Sequence, residues 1–243
     1  MTQNKKPLPK VELPSLSGIL PISKKKIKYR PFIVKEQKSL LLAQASEDQD
    51  SVFETICDII HSCTSGTVDV KETPFGDISW LFLKIANASV GPEHAINFTC
   101  ENSECGREFV LNLNLDDVQM KNPEYDPKIL ISDDVGVKLK NPTFIDLIEI
   151  EKMVDDTVQV IYYLIDYVFD SEQVYSKDEY TIEEFRDWME SFSDEQLLKF
   201  DQLINNMPDI SHTYEFDCPS CGKKHRKLVE GLLAFFRIKS GQF

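Results

Sequence analysis

Residues 98–105 read FTCENSEC, and residues 218–225 read CPSCGKKH. In the first stretch Cys100 and Cys105 stand at C-x4-C spacing with Gly106 directly after them. In the second, Cys218 and Cys221 stand at C-x2-C spacing with Gly222 directly after them. Glycine at that position lets a tight loop turn back on itself, and such a loop aims backbone amides at thiolate sulfurs. Each stretch therefore has the form of a cysteine knuckle.

The residues on either side place the knuckles on strands. HAINFTC (94–100) and EFVLNLNL (108–115) both alternate apolar and polar residues, so the first knuckle connects a β-hairpin. ISHTYEFDC (210–218) alternates through Tyr214 and Phe216. The order strand, cysteine pair, glycine, basic residues, strand thus occurs at 94–113 and again at 210–229. Two such hairpins brought together put four thiolates, Cys100, Cys105, Cys218 and Cys221, around one ion. Zn²⁺ is the expected metal, held tetrahedrally at about 2.3 Å from each sulfur. Four protein ligands leave no position for water, which makes the expected site structural. His225 could ligate in place of a cysteine, but it reads as a residue outside the ligand set or in solvent.

Free thiols are the plain alternative. A thiol–disulfide enzyme is another, since C-x-x-C also opens helices in such enzymes, where the helix terminus acidifies one sulfur. Here strands flank the pair, and no strand–helix unit surrounds it. Cys57 and Cys63, six apart on a helical pattern, read as small buried hydrophobes.

The segments before the first knuckle are a short strand in KKIKYRPFIV (25–34), ended at Pro31, and a helix in KEQKSLLLAQAS (35–46). A second helix follows in DSVFETICDIIHSC (50–63), capped by Asp50 or Ser51. A third, in 73–91, is apolar on most sides and so belongs at the centre of the core, with Gly91 as its stop. Between the knuckles lie 112 residues. They hold a strand near 133–144, a helix capped by Thr143, and the apolar run VQVIYYLIDYVF (158–169), read as helix. Two capping boxes follow, Thr181 with Glu184 and Ser193 with Gln196, opening a helical hairpin.

Charge is distributed unevenly. The chain of 243 residues carries a formal −14, yet residues 1–30 carry eight basic residues against Glu12 alone. Residues 151–195 hold fourteen acidic and three basic residues. With Pro7, Pro9, Pro14 and Pro21, residues 1–23 read as an extended basic arm. The net charge opposes a nucleic-acid binder working through phosphates. The local run Lys223, Lys224, His225, Arg226, Lys227 keeps open a zinc ribbon that binds nucleic acid or a polymerase. No apolar run is long enough to span a membrane, and the N-terminus lacks the apolar region of a signal peptide, so a reducing cytoplasm is expected. No phosphate loop, dinucleotide fingerprint, nucleophile elbow or H-E-x-x-H pair is present, and no small-molecule substrate or enzymatic activity is expected.

Arg30-Pro31-Phe32, Val34-Lys35-Glu36, Leu81-Phe82-Leu83-Lys84, and Ser89 with Gly91 carry a resemblance. Over roughly residues 10–115 the chain resembles the baseplate hub proteins of T4-like contractile-tailed bacteriophages, a family that includes a hub subunit and a hub assembly catalyst. The resemblance implies a protein that binds other hub or tail proteins, in the host cytoplasm during assembly or in the virion tail. It carries no catalytic residues.

The expected fold is α+β. Residues 24–125 with 208–243 form a core bearing the two knuckle hairpins as a zinc-ribbon-like unit. Residues 126–207 form a mainly helical acidic lobe hung between them.

Overall fold

The computed structural model describes residues 11–235 apart from 47, 48, 154 and 233. The chain opens with a hairpin of β1 (Leu16–Ile19) and β2 (Lys26–Tyr29), followed by α1 (Val34–Ala45), α2 (Gln49–Cys63) and α3 (Phe75–Val90). Asp50 and Ser51, expected to cap α2, lie within its first turn instead. Of the expected arm, residues 1–10 lie outside the described residues, and Leu16–Ile19 form β1. Pro14 and Pro21 sit just outside the β1–β2 ladder, where a missing N–H breaks no pairing. The Asp77 carboxylate, wholly buried in the first turn of α3, accepts from Ile22 N (2.7 Å) and Ser23 N (2.9 Å) and pins the hairpin turn.

The absence of a polar face on α3 has a structural cause. Ile78, Leu81, Phe82 and Ile85 pack into one core with Ile56 and Ile60 of α2, while Leu83 packs into a second core. Trp80 touches both. A helix that walls two cores has no side left for water.

The second core lies under the strands. β3 (Glu93–Thr99) and β4 (Glu108–Asn114) form the first hairpin, in register from Glu93↔Asn114 to Thr99↔Glu108. β10 (Ile210–Asp217) and β11 (Lys224–Glu230) form the second, from Ser211↔Glu230 to Asp217↔Lys224. A two-residue strand, β5 (Gln119–Met120), extends the second hairpin through Ile210↔Met120. Ile96, Leu113, Leu115, Ile210 and Val229 fill the space beneath.

Between the hairpins comes the lobe, with a third core of its own. Its sheet has the order β6–β7–β8–β9, from Lys128–Leu130, Gly136–Leu139, Ile165–Phe169 and Val174–Ser176. Four helices accompany it: α4 (Phe144–Glu151), α5 (Thr157–Leu164), α6 (Ile182–Glu190) and α7 (Asp194–Asn205). The boxes at Thr181/Glu184 and Ser193/Gln196 form as expected, and Thr143 caps α4 with Asp146. The run 158–169 corrects the reading as one helix: it is helical only to Leu164, and from Ile165 it is β8, paired with β7 through Val137↔Val168. Continuous apolar runs carry no period, and the partner strand decides the matter. The lobe thus combines its four helices with a four-stranded sheet.

Candidate metal centre

The two hairpins meet at their tips. Cys100 Sγ lies 3.7 Å from Cys221 Sγ, and Cys105 Sγ lies 3.9 Å from Cys218 Sγ. All four sulfurs fall within 4.8 Å of one another. A tetrahedron with arms of about 2.3 Å has edges of about 3.8 Å. Two sulfur pairs thus stand at that edge length and all four sulfurs lie within 4.8 Å, so the four thiols can hold one metal ion.

The local sequence sets each loop. In the first, Cys100 N donates to Arg107 O (2.9 Å), and the amides of Cys105 (2.8 Å) and Gly106 (2.9 Å) donate to Asn102 O. In the second, Cys218 N donates to Lys223 O and Gly222 N to Cys218 O, both at 2.9 Å. Gly106 (φ 54°) and Gly222 (φ 69°) both occupy the left-handed region that glycine adopts without strain. The glycine that follows each pair in the sequence is thus the residue that closes each loop.

The site has a wet side and a dry side. Cys100 and Cys218 are buried, and Cys221 is exposed. Burial pushes the Cys100 thiol up to about 12. The Lys223 amide brings the Cys221 thiol down to about 6, with further help from the Asn102 side chain. Of these two thiols Cys221 is the more readily deprotonated, and a bound cation would drive off the remaining thiol protons.

His225 sits beneath the cluster, buried, with Nε2 3.4 Å from Cys100 Sγ. Its ring stacks on Phe216 (5.5 Å) and meets Phe98 edge-on (5.1 Å). Glu101 Oε2 lies 3.7 Å from its Nδ1, and Glu101 Oε1 holds Lys227 at 2.7 Å. Of the two places read for His225, the solvent one is excluded. It lies inside, against a sulfur, and outside the four-sulfur group. Asn102 escaped the sequence reading. Its Nδ2 donates to Cys221 Sγ (3.7 Å), while its Oδ1 accepts from Glu104 N (3.2 Å). An Asn two residues after a knuckle cysteine, followed by a turn, was the available signal.

Cys57 and Cys63 are far from this chemistry, in the first core around α2. Near Cys63 the Arg30 guanidinium grips Glu36 in two bonds, Nη2–Oε1 at 2.7 Å and Nη1–Oε2 at 2.9 Å. Phe32 N donates to Ser89 Oγ (2.9 Å). Phe32 and Ser89, two of the residues that carried the family resemblance, thus join the segment before α1 to the end of α3.

That joint and both knuckles lie inside a longer match. The family model of the T4 bacteriophage base plate protein matches residues 14–237. The chain belongs to this family. The match runs through the lobe and the second knuckle, well past the 10–115 on which the resemblance stood. No curated protein and no solved structure matches the chain. As a baseplate-family protein it has a structural role in the phage tail baseplate. Among its described residues no helix is long and apolar enough to cross a membrane.

Proposed function

We propose that this baseplate protein is a hub component, a subunit or an assembly factor, that acts by binding other hub or tail proteins and performs no bond-making chemistry. The observation that carries the proposal is the family match over residues 14–237. In this reading it folds and works in the host cytoplasm during assembly, and either stays in the baseplate or leaves once the hub is complete.

The metal in this reading is one structural Zn²⁺ on Cys100, Cys105, Cys218 and Cys221, in a zinc-ribbon-like unit. The sulfur spacings support it, and so does the chemistry of an all-thiolate set, which suits Zn²⁺ rather than an oxygen-seeking cation. Such a set has no open position, so its work is to tie the strands together. Part of the basic run near the site is already engaged: Lys227 with Glu101 at 2.7 Å and Arg226 with Glu215 at 3.6 Å. That argues for a local surface network over a phosphate-binding face.

The test is quantitative mass spectrometry of purified virions against infected-cell lysate, with a known tail protein as the reference. A fixed stoichiometry in particles makes the chain a hub subunit. Abundance in lysate with absence from particles makes it an assembly factor. If neither particles nor assembly intermediates contain it, the proposal fails.

A further inference from the structure

β2 has one paired edge and one open edge. At the hairpin turn Leu20 N donates to Lys25 O (2.9 Å). By the alternation of an antiparallel ladder, Gly18↔Ile27 and Leu16↔Tyr29 are then the hydrogen-bonded pairs. The backbone N–H and C=O groups of Lys26, Lys28 and Arg30 face away from β1. Arg30 shows the direction independently, since its amide leaves the sheet and donates to Cys63 O (3.0 Å). Among the described residues only β1 pairs with β2, and the amides of Lys26 and Lys28 have no partner.

Beside this edge runs a groove of about 1160 Å³. One wall is the hairpin with Lys25, Lys26 and Lys28. The other is the loop after α2, which presents Asp69 and Glu72. The edge is held rigidly. Asp77 pins the turn, and Gly18 lies so close to Trp80 that a Cβ there would come within 3.0 Å of the indole. A preformed edge lowers the ordering cost of binding.

We infer that this groove takes an extended segment of a partner protein, which adds a strand to β2 and carries its acidic side chains on the Lys26 and Lys28 side, away from Asp69 and Glu72. Main-chain bonds to Lys26 and Lys28 would give affinity, and the lysine side chains would choose the partner. Lysines on an edge also guard against random pairing, but they do so by rejecting apolar and basic strands, which leaves acidic ones favoured. The chain's own flanking segments are a poor match in charge. Residues 1–10 carry Lys5, Lys6 and Lys10 with no acid, and residues 236–243 carry Arg237 and Lys239 with no acid. The acidic strand proposed here is a partner's and not one of these two segments. This goes beyond the baseplate reading and does not depend on it.

The test uses the full chain and a fluorescein-labelled peptide of five Val-Glu repeats, followed by anisotropy, with five Val-Lys repeats as control. The Val-Glu peptide should bind and the control should not. Lys28→Gln removes a charge and keeps the N–H, so it should weaken binding about two-fold. Lys28→Pro also removes an N–H that the β1 ladder does not use, so it should weaken binding about ten-fold with the hairpin intact. Failure of the Val-Glu peptide to bind, or equal binding of the two peptides, overturns the inference. Equal affinity of the Pro and Gln variants also overturns it, because charge alone would then explain binding. Should Lys28→Pro unfold, amide exchange at Lys26 and Lys28 of the wild type decides: slowing by the peptide is expected, and no slowing overturns strand addition. None of these results moves the virion stoichiometry, so the two readings fail separately.

Discussion

Cys100 and Cys221, 121 positions apart, bring their sulfurs to 3.7 Å, and the second close pair, Cys105 with Cys218, likewise joins one hairpin to the other. A metal here closes a loop that contains the whole lobe. The purified protein should carry one zinc per chain by elemental analysis. Cys221→Ser should lose it and lower Tm by about 6–12 °C, equivalent to about 3 kcal/mol. Protease should then cut around β10 and β11 while the α1–α3 core stays resistant. A Cys221→Ser digest identical to wild type would remove the staple from the account.

His225 lies beneath the four sulfurs and would support such a staple from below. Its Nε2, 3.4 Å from Cys100 Sγ, and its packing between Phe98 and Phe216 hold one sulfur in place. His225→Ala should speed zinc transfer to a chromogenic chelator by about ten-fold, and His225→Gln should recover part of it. Equal transfer rates for wild type and His225→Ala would show that the histidine only packs.

The Arg30–Glu36 joint sets an acid limit. The Arg30 fork, helped by Ser62 and by the Ile33 amide and opposed by burial, lowers the Glu36 carboxyl from 4.5 to about 2. A lowered carboxyl contributes stability above its unfolded value and loses it as pH falls toward the folded value. Wild-type Tm should therefore fall more steeply than that of Glu36→Gln as pH drops from 5 to 2. At pH 7 the variant should be weaker by about 1–2 kcal/mol, since solvent screens part of the interaction. Parallel Tm curves would contradict the role given to this pair.

Much of this was legible in the sequence because short-range chemistry wrote it. The knuckles announce themselves by spacing and glycine, and the boxes at Thr181 and Ser193 by a hydroxyl three residues before a Glu or Gln. The bend of 158–169 was not legible, because a run apolar on every side has no period and its break at Leu164 depends on β7, some twenty-five residues upstream. β1 was hidden by prolines that fall just outside its ladder. His225 needed the fold: nothing in GKKHRK says that one of five polar side chains turns inward against a sulfur.

Asp209 shows the opposite sign to Glu36. Burial pushes its carboxyl from 3.8 up to about 6, against the Ile210 amide that it accepts from at 2.7 Å. An acid raised on folding favours the folded state most below its unfolded value, and that advantage is lost as pH rises through about 6. Asp209→Asn keeps an oxygen for Ile210 and escapes the loss. It should be more stable than wild type at pH 8 by about 1–3 kcal/mol, and about equal to it at pH 4. A variant less stable at pH 8 would mean that the charge is needed, for instance by Lys121 nearby.

Phe144 belongs to the lobe by sequence and to the first core by packing. It opens α4, yet its ring meets Phe53 of α2 edge-on at 4.5 Å and lies 6.0 Å from Phe75 of α3. The backbone beside it is tied as well, with Phe75 N donating to Pro142 O (2.8 Å) and Pro74 bridging Thr143. The lobe is thus latched to the core at the start of α4, while the two knuckle hairpins meet at their tips. Phe144→Ala should cost about 3–5 kcal/mol, the range for truncating a buried aromatic. It should also split one unfolding transition into two, because the third core does not include this ring. Phe200→Ala, deep in that third core, should destabilise the lobe and leave the α1–α3 core at its wild-type midpoint. Chemical denaturation followed at Trp80 and Trp188 separately reads both. A loss below about 1 kcal/mol for Phe144→Ala, or coincident shifts at the two tryptophans for both variants, would show that the lobe and core are joined elsewhere.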